Sequence, residues 1–167
     1  MSDTVVLNSM EGQAFTALTK VASMSRTMRD LMADVAEGEA IPLPTVSGKV
    51  LEKVIKFCQH HVDDTAPAIP PIDMEAKRVE LTDKPVEIPT WDKEFCDAMD
   101  QEAIMEVIIA ANYLDVRPLL DLCCRHVAQS VVGKTPTDIY AMFKCETELT
   151  PEEETEIRKE NPWLEDQ

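Results

Sequence analysis

Apolar and polar positions alternate on both sides of the turn-like stretch Ser9, Met10, Glu11, Gly12, with Val5 and Leu7 before it and Phe15 and Ala17 after it. A period of two on either side of a turn predicts a β-hairpin over 4–18. The period then changes. Val21, Met24, Met28, Leu31, Met32 and Val35 recur every three to four residues, which predicts one helix with a single apolar stripe, stopped near Gly38. Ile41, Pro42, Leu43 and Pro44 read as a short edge strand, the place in a sheet where a missing N–H donor is tolerated. Ser47 is placed to cap a second helix, in which Val50, Leu51, Val54, Ile55, Phe57 and Cys58 keep the helical period as far as His60 and His61.

Between 63 and 89 the period disappears. The segment holds five of the eleven prolines and seven acids against three bases, the composition of a flexible surface insertion. Order is expected to resume at Thr90, a cap for a helix with Trp91, Phe95 and Met99, and Asp100 caps the next one. That next helix carries Ile104, Met105, Val107, Ile108, Ile109, Ala110, Ala111, Tyr113 and Leu114, leaving almost no polar face, so it is expected at the centre of the domain. Asp115 and Pro118 restart a helix with Leu119, Leu120, Leu122, Cys123, Val127 and Val131 inward, ending at Gly133. Two further starts are Thr135 with Pro136, and Thr150 with Glu153, a capping box. The last helix has Ile157 as its one aliphatic residue before Pro162, Trp163 and Leu164, too little to supply its own core, so it should need an outside surface to order fully.

The fold class is therefore α+β: a small sheet and a set of helices, followed by a helical extension. The organisation divides into 1–62, an insertion at 63–89, helices over 90–133 and an extension over 134–167. Composition narrows the partners. A net charge of -16 over 167 residues repels phosphate backbones and anionic membranes, so neither nucleic acid nor a membrane is an expected partner. No apolar run approaches the ~18 residues of a membrane span and no leader precedes the first alternation, which gives the expectation of a cytoplasmic and nuclear protein. Five cysteines, odd in number and without C-x-x-C spacing, read as reduced thiols.

Candidate chemistry is sparse. Cys58 and His61 share a helical face beside His60, yet a metal site normally takes four ligands and no second cluster stands elsewhere. The simpler reading is a helix end where His side chains meet the dipole. Cys123 and His126 are spaced as a thiolate and base could be, but a core cysteine beside a surface histidine accounts for them. Four glycines provide no phosphate-binding loop, since Gly133, Lys134, Thr135 lack the upstream glycine, and the acids Glu152, Glu153, Glu154 and Glu156 suit a helix start better than a cation. No cofactor, metal or enzymatic activity is expected. Apolar surface remains: Val127, Val131, Ile139, Phe143, Trp163 and Leu164 lie on successive short elements, and such a groove either holds a partner helix or closes as a small satellite core.

The run Ala110, Ala111, Asn112, Tyr113, Leu114, Asp115, continued by Leu119, Leu120, Asp121, resembles the signature of the Skp family, the adaptor subunit of SCF (Skp, cullin, F-box) ubiquitin ligases. The similarity extends through Gly133, Lys134, Thr135, Pro136, through Thr150 to Glu154, and through Arg158, Lys159, Glu160, Asn161 with Trp163. Trp91, Asp92, Glu94, Phe95, then Lys53, Val54, Ile55 and Ile41 to Pro44 carry it toward the N-terminus. The resemblance implies a BTB/POZ fold with a C-terminal helical extension, and a non-catalytic adaptor that links F-box substrate receptors to a cullin N-terminal domain. It further implies that Asn112, Tyr113, Pro42 and Val46 face the cullin, and that Leu120, Cys124, Val127, Val131, Ile139, Phe143 and Trp163 line the F-box surface.

Two departures fall on the F-box side: Phe143, Lys144, Cys145, Glu146 replace the family's usual Phe-Asn-Ile stretch, and Pro162 stands where glutamine is common. They point to a divergent set of F-box partners. Thr135, Pro136 resembles a site that some protist members hydroxylate and glycosylate, although Pro136 is sufficiently explained as a helix starter. Two neighbouring readings are an elongin-C-like adaptor, expected to end near Gly133, and a self-associating BTB scaffold. An unoccupied apolar groove also makes a homodimer of the free protein an expectation.

Overall fold

The computed structural model describes residues 3–36, 38–64, 87–144 and 150–161, so the insertion expected at 63–89 lies largely outside the described residues. Strand β1 (Thr4–Asn8) and strand β2 (Ala14–Leu18) form the expected hairpin, with Leu7 opposite Phe15 and Val5 opposite Ala17. Gly12 adopts φ 79° in the connecting turn, a conformation without steric cost only for glycine. Strand β3 (Ile41–Pro42) runs parallel to β1, so the sheet order is β2-β1-β3 and Pro42 sits on an edge. Leu7, Ala17 and Ile41 are buried on one face of this sheet.

The single helix expected after the hairpin is two: α1 (Thr19–Ala22) and α2 (Arg26–Asp34). The break falls at Ser25, whose hydroxyl accepts from the Met28 amide at 3.0 Å and caps α2. Helix α3 (Gly48–His61) buries Val50, Leu51, Val54, Ile55, Phe57 and Cys58, as its period requires, and packs on α5 (Gln101–Tyr113). Ser47 occupies the N-cap position without a side-chain cap bond; the Glu11 carboxylate accepts from the Gly48 amide at 2.9 Å instead. Helix α4 (Thr90–Asp97) likewise begins after Pro89 with no side-chain cap, and Met99 lies beyond its end. Asp100 caps α5 as expected, accepting from the Ala103 amide at 2.8 Å.

Asp115, expected to open the next helix, instead closes α5. It sits at φ 50° while the Val116 amide donates to Ala111 at 2.9 Å and its own amide to Asn112 at 3.2 Å, a Schellman motif with aspartate in the left-handed position. Helix α6 (Arg117–Val131) then buries Leu119, Leu122 and Cys123. Leu7, Leu43, Leu51, Val54, Val107, Leu114 and Leu119 are all 0% exposed, and burying each such side chain is worth about 1.5–3 kcal/mol.

By packing the chain divides into two units, Met1–Ser130 and Val131–Gln167. The second holds α7 (Pro136–Met142) and α8 (Pro151–Glu160). Both helices start with the reciprocal cap. The Thr135 hydroxyl accepts from the Asp138 amide and the Asp138 carboxylate from the Thr135 amide, each at 3.2 Å. Thr150 and Glu153 repeat the exchange at 3.3 and 2.9 Å. A three-stranded sheet with eight helices among the described residues is the α+β architecture expected. No described helix is long and apolar enough to cross a membrane.

Candidate partner-binding surfaces

Helix α5 is apolar nearly all round, but the core does not cover all of it. Ile104, Val107, Ala110 and Ala111 are buried, whereas Ile109 is 69% and Tyr113 41% exposed, and Asn112 beside them is exposed. Ile109 and Tyr113 are four residues apart, hence neighbours on one helix face. The C-terminal carbonyls of α5 are held from α2. The Ser25 hydroxyl donates to Leu114 O, the Thr27 amide donates to Leu114 O at 3.4 Å, and the Thr27 hydroxyl donates to Tyr113 O at 2.9 Å. Tyr113 is thus presented on a fixed backbone, with ordering entropy already spent before a partner arrives.

Pro42 is exposed at the sheet edge. Val46 is not: at 1% exposure it belongs to the core, with its carbonyl accepting from the Met10 amide at 2.8 Å, so its side chain offers no surface to a partner and its expected place in the Tyr113 group is corrected. Ile109, expected inside with the rest of its helix, is exposed instead. An apolar run without a polar face predicts burial on every side, whereas Ile109 and Tyr113, four residues apart, share a side that is left open.

On α6, Leu120, Cys124 and Val127 recur at spacings of four and three and are half-buried, outside the fully buried set Leu119, Leu122 and Cys123. In the second unit, Val131, Ile139 and Phe143 are half-buried, Val132 is 79% and Ile157 40% exposed, and no described residue is fully buried. Among the described residues, these apolar side chains are not enclosed in a core of their own. Trp163 and Leu164 lie outside the described residues. Pro136 is exposed at the first position of α7.

The residues considered for chemistry serve packing. His61 bonds Asp64 through Nδ1 at 2.6 Å and the buried Asp92 through Nε2 at 2.8 Å, while His60 stacks on Trp91, so both histidines tie the end of α3 to α4. Burial pushes the Cys58 thiol up to about 12. The Cys123 thiol is raised further, first by its hydrogen bond with Cys96 and then by burial. Such a thiol is held protonated and is a poor nucleophile. His126 stands 3.9 Å from Asp97.

Two family profiles match the chain: one described as Skp1 family, tetramerisation domain, a POZ domain, over residues 3–63, and one described as Skp1 family, dimerisation domain, over residues 117–164. The chain is 42% identical to the SCF ubiquitin ligase complex protein SKP1b of Dictyostelium discoideum, covering 97% of this chain and 96% of the relative. It is 42% identical to the E3 ubiquitin ligase complex SCF subunit sconC of Aspergillus clavatus, over 99% of this chain and 100% of the relative. The SKP1-like protein 20 of Oryza sativa subsp. japonica is 41% identical over 95% of this chain and 93% of its own length.

Proposed function

The chain belongs to the Skp1 family, and we propose that within it this protein is a non-catalytic adaptor of an SCF-type ubiquitin ligase, bridging F-box substrate receptors and the N-terminal domain of a cullin. The observation that carries this reading is correspondence along nearly the whole chain with relatives named as SCF subunits, through both the POZ part and the C-terminal part. Two physical findings support it: an exposed apolar-aromatic face on α5, and a second unit whose described apolar residues are all at least partly exposed. A tyrosine with a hydrophobic neighbour one turn away is the composition of an interface anchor.

In this reading the cullin takes the face of Ile109, Asn112 and Tyr113, with Pro42 in support. The F-box takes Leu120, Cys124 and Val127 from α6, together with Val131, Ile139, Phe143 and Trp163 from the extension. Free protein pairs through its unoccupied apolar residues as a homodimer, which an F-box partner displaces. The adaptor acts in the cytoplasm and nucleus, and Pro136, exposed beside Thr135, is its candidate modification residue, read out by the mass of the native protein.

Reconstitution tests the function. The purified chain, an F-box domain and a cullin N-terminal domain are mixed and resolved by size. A ternary complex that neither outer partner forms without this chain supports bridging. A stable homodimer that persists with an F-box segment present supports a self-associating scaffold instead.

A further inference from the structure

Apart from these surfaces, the region between α3 and α4 holds a cleft of about 220 Å³, with Lys53 and Lys56 on the α3 side and Trp91, Glu94, Phe95 and Met99 on the other. None of these residues belongs to the faces assigned above to the cullin or the F-box. The aromatic wall is already ordered. Trp91 stacks on His60 with ring centroids 3.7 Å apart and planes 7° from parallel, and on Phe95 at 5.2 Å and 11°. The bond from His61 to Asp92 fastens the two helices beside it. A wall built this way costs little further ordering when something lies against it.

Size and charge narrow the occupant. A volume of 220 Å³ is below the ~300–1,000 Å³ of sites that enclose small molecules and cofactors, and suits one inserted side chain. Lys53 and Lys56 are three residues apart on α3 and therefore share a face, giving two ammonium groups against the single carboxylate of Glu94. In a chain of net charge -16, that is a local reversal of sign. An apolar shelf beside paired cations complements a group that is apolar at its tip and anionic on its flanks.

We propose that this cleft docks an acidic peptide segment of a partner protein, seating one aromatic or long aliphatic side chain against Trp91, Phe95 and Met99 and setting flanking carboxylates toward Lys53 and Lys56.

Trp91 and Trp163 are the two tryptophans of the chain, so in a Trp163→Phe background the emission reports on the cleft alone. The probe is a synthetic peptide with one phenylalanine flanked on each side by glutamates. The expected result is a saturable change in Trp91 emission that weakens as salt is added. It weakens at least tenfold in Lys53→Glu/Lys56→Glu, by a smaller factor in Lys53→Gln/Lys56→Gln, and is lost when the peptide's phenylalanine is alanine or its flanks are lysine. Far-UV circular dichroism checks that both lysine variants remain folded. Equal binding by wild type and the charge-neutral variant, or equal binding of the lysine-flanked peptide, overturns the proposal. Concentration-dependent self-association that either variant abolishes, without any response to the peptide, overturns it in favour of a second copy as the occupant.

Discussion

The Ser25 hydroxyl donates to the carbonyl oxygen of Leu114 while accepting from the Met28 amide, so one buried side chain caps the start of α2 and the end of α5 together. Tyr113 is the residue before that carbonyl. Ser25→Ala removes a helix N-cap and weakens the satisfaction of a buried carbonyl, a cost of about 1–3 kcal/mol. Thermal unfolding should show a lower Tm by about 2–4 °C for each kcal/mol lost. Affinity for the cullin domain should fall more than affinity for the F-box domain, because the displaced turn carries Tyr113. Equal losses for both partners would point to a general loss of fold.

Glu11 takes the capping role for which Ser47 has the right residue type. Its carboxylate is held below its ordinary value, first by the Gly48 amide and then by the Ser9 hydroxyl. Ser47→Ala should leave the denaturant midpoint nearly unchanged, whereas Glu11→Gln lowers it. A depressed carboxylate contributes its stability above the unfolded-state value of 4.5 and loses it as pH falls through the lower folded-state value. The difference between wild type and Glu11→Gln should therefore be largest above that value and shrink as the solution is acidified below it.

The two capping boxes of the extension follow the same sign. Asp138 is lowered first by the Thr135 side chain, and Glu153 first by the Thr150 amide. Both caps are lost by protonation only as pH falls through these lowered values, beneath the ordinary 3.8 and 4.5. Circular dichroism at 222 nm should show helix loss on acidification that is reduced in Asp138→Asn/Glu153→Gln, whose starting helicity is lower.

At Asp115 the backbone asks for glycine. With φ 50° and an exposed ion pair to Arg117 at 2.7 Å that contributes little, Asp115→Gly should be neutral or stabilising by up to about 1 kcal/mol. Asp115→Val should cost about 1–2 kcal/mol, as a β-branched residue forced into the left-handed region. Denaturant midpoints of the pair decide it, and a destabilising glycine would show that the Arg117 contact matters more than the backbone.

Much of this fold was legible because each element must bury a face and its period says which. The hairpin over Val5, Leu7, Phe15 and Ala17, the period of α3, the helix start at Thr135 with Pro136 and the capping box at Thr150 are written in residues a few positions apart. What escaped depends on groups distant in the chain. The break between α1 and α2 needs the Leu114 carbonyl, 89 residues from Ser25, and the α3 cap needs Glu11, 37 residues from Gly48. Val46, expected at the surface, is buried, and Ile109, expected inside, is exposed, for a related reason. Both are aliphatic, and composition does not distinguish a residue covered by its own core, as Val46 is, from one left exposed, as Ile109 is. The resemblance carried the partner assignment. The residues by themselves imply a binding module with apolar surface.

The most direct test separates the two proposed faces. Complexes of the chain with an F-box domain and a cullin N-terminal domain are measured by size-exclusion chromatography with light scattering, for wild type, Tyr113→Lys and Val127→Asp. The account predicts a ternary complex for wild type. Tyr113→Lys should lose the cullin domain, by more than about tenfold in affinity, and keep the F-box domain, while Val127→Asp does the reverse. Wild type that binds neither partner and elutes as a homodimer, or a Tyr113→Lys variant that keeps the cullin at full affinity, would contradict it.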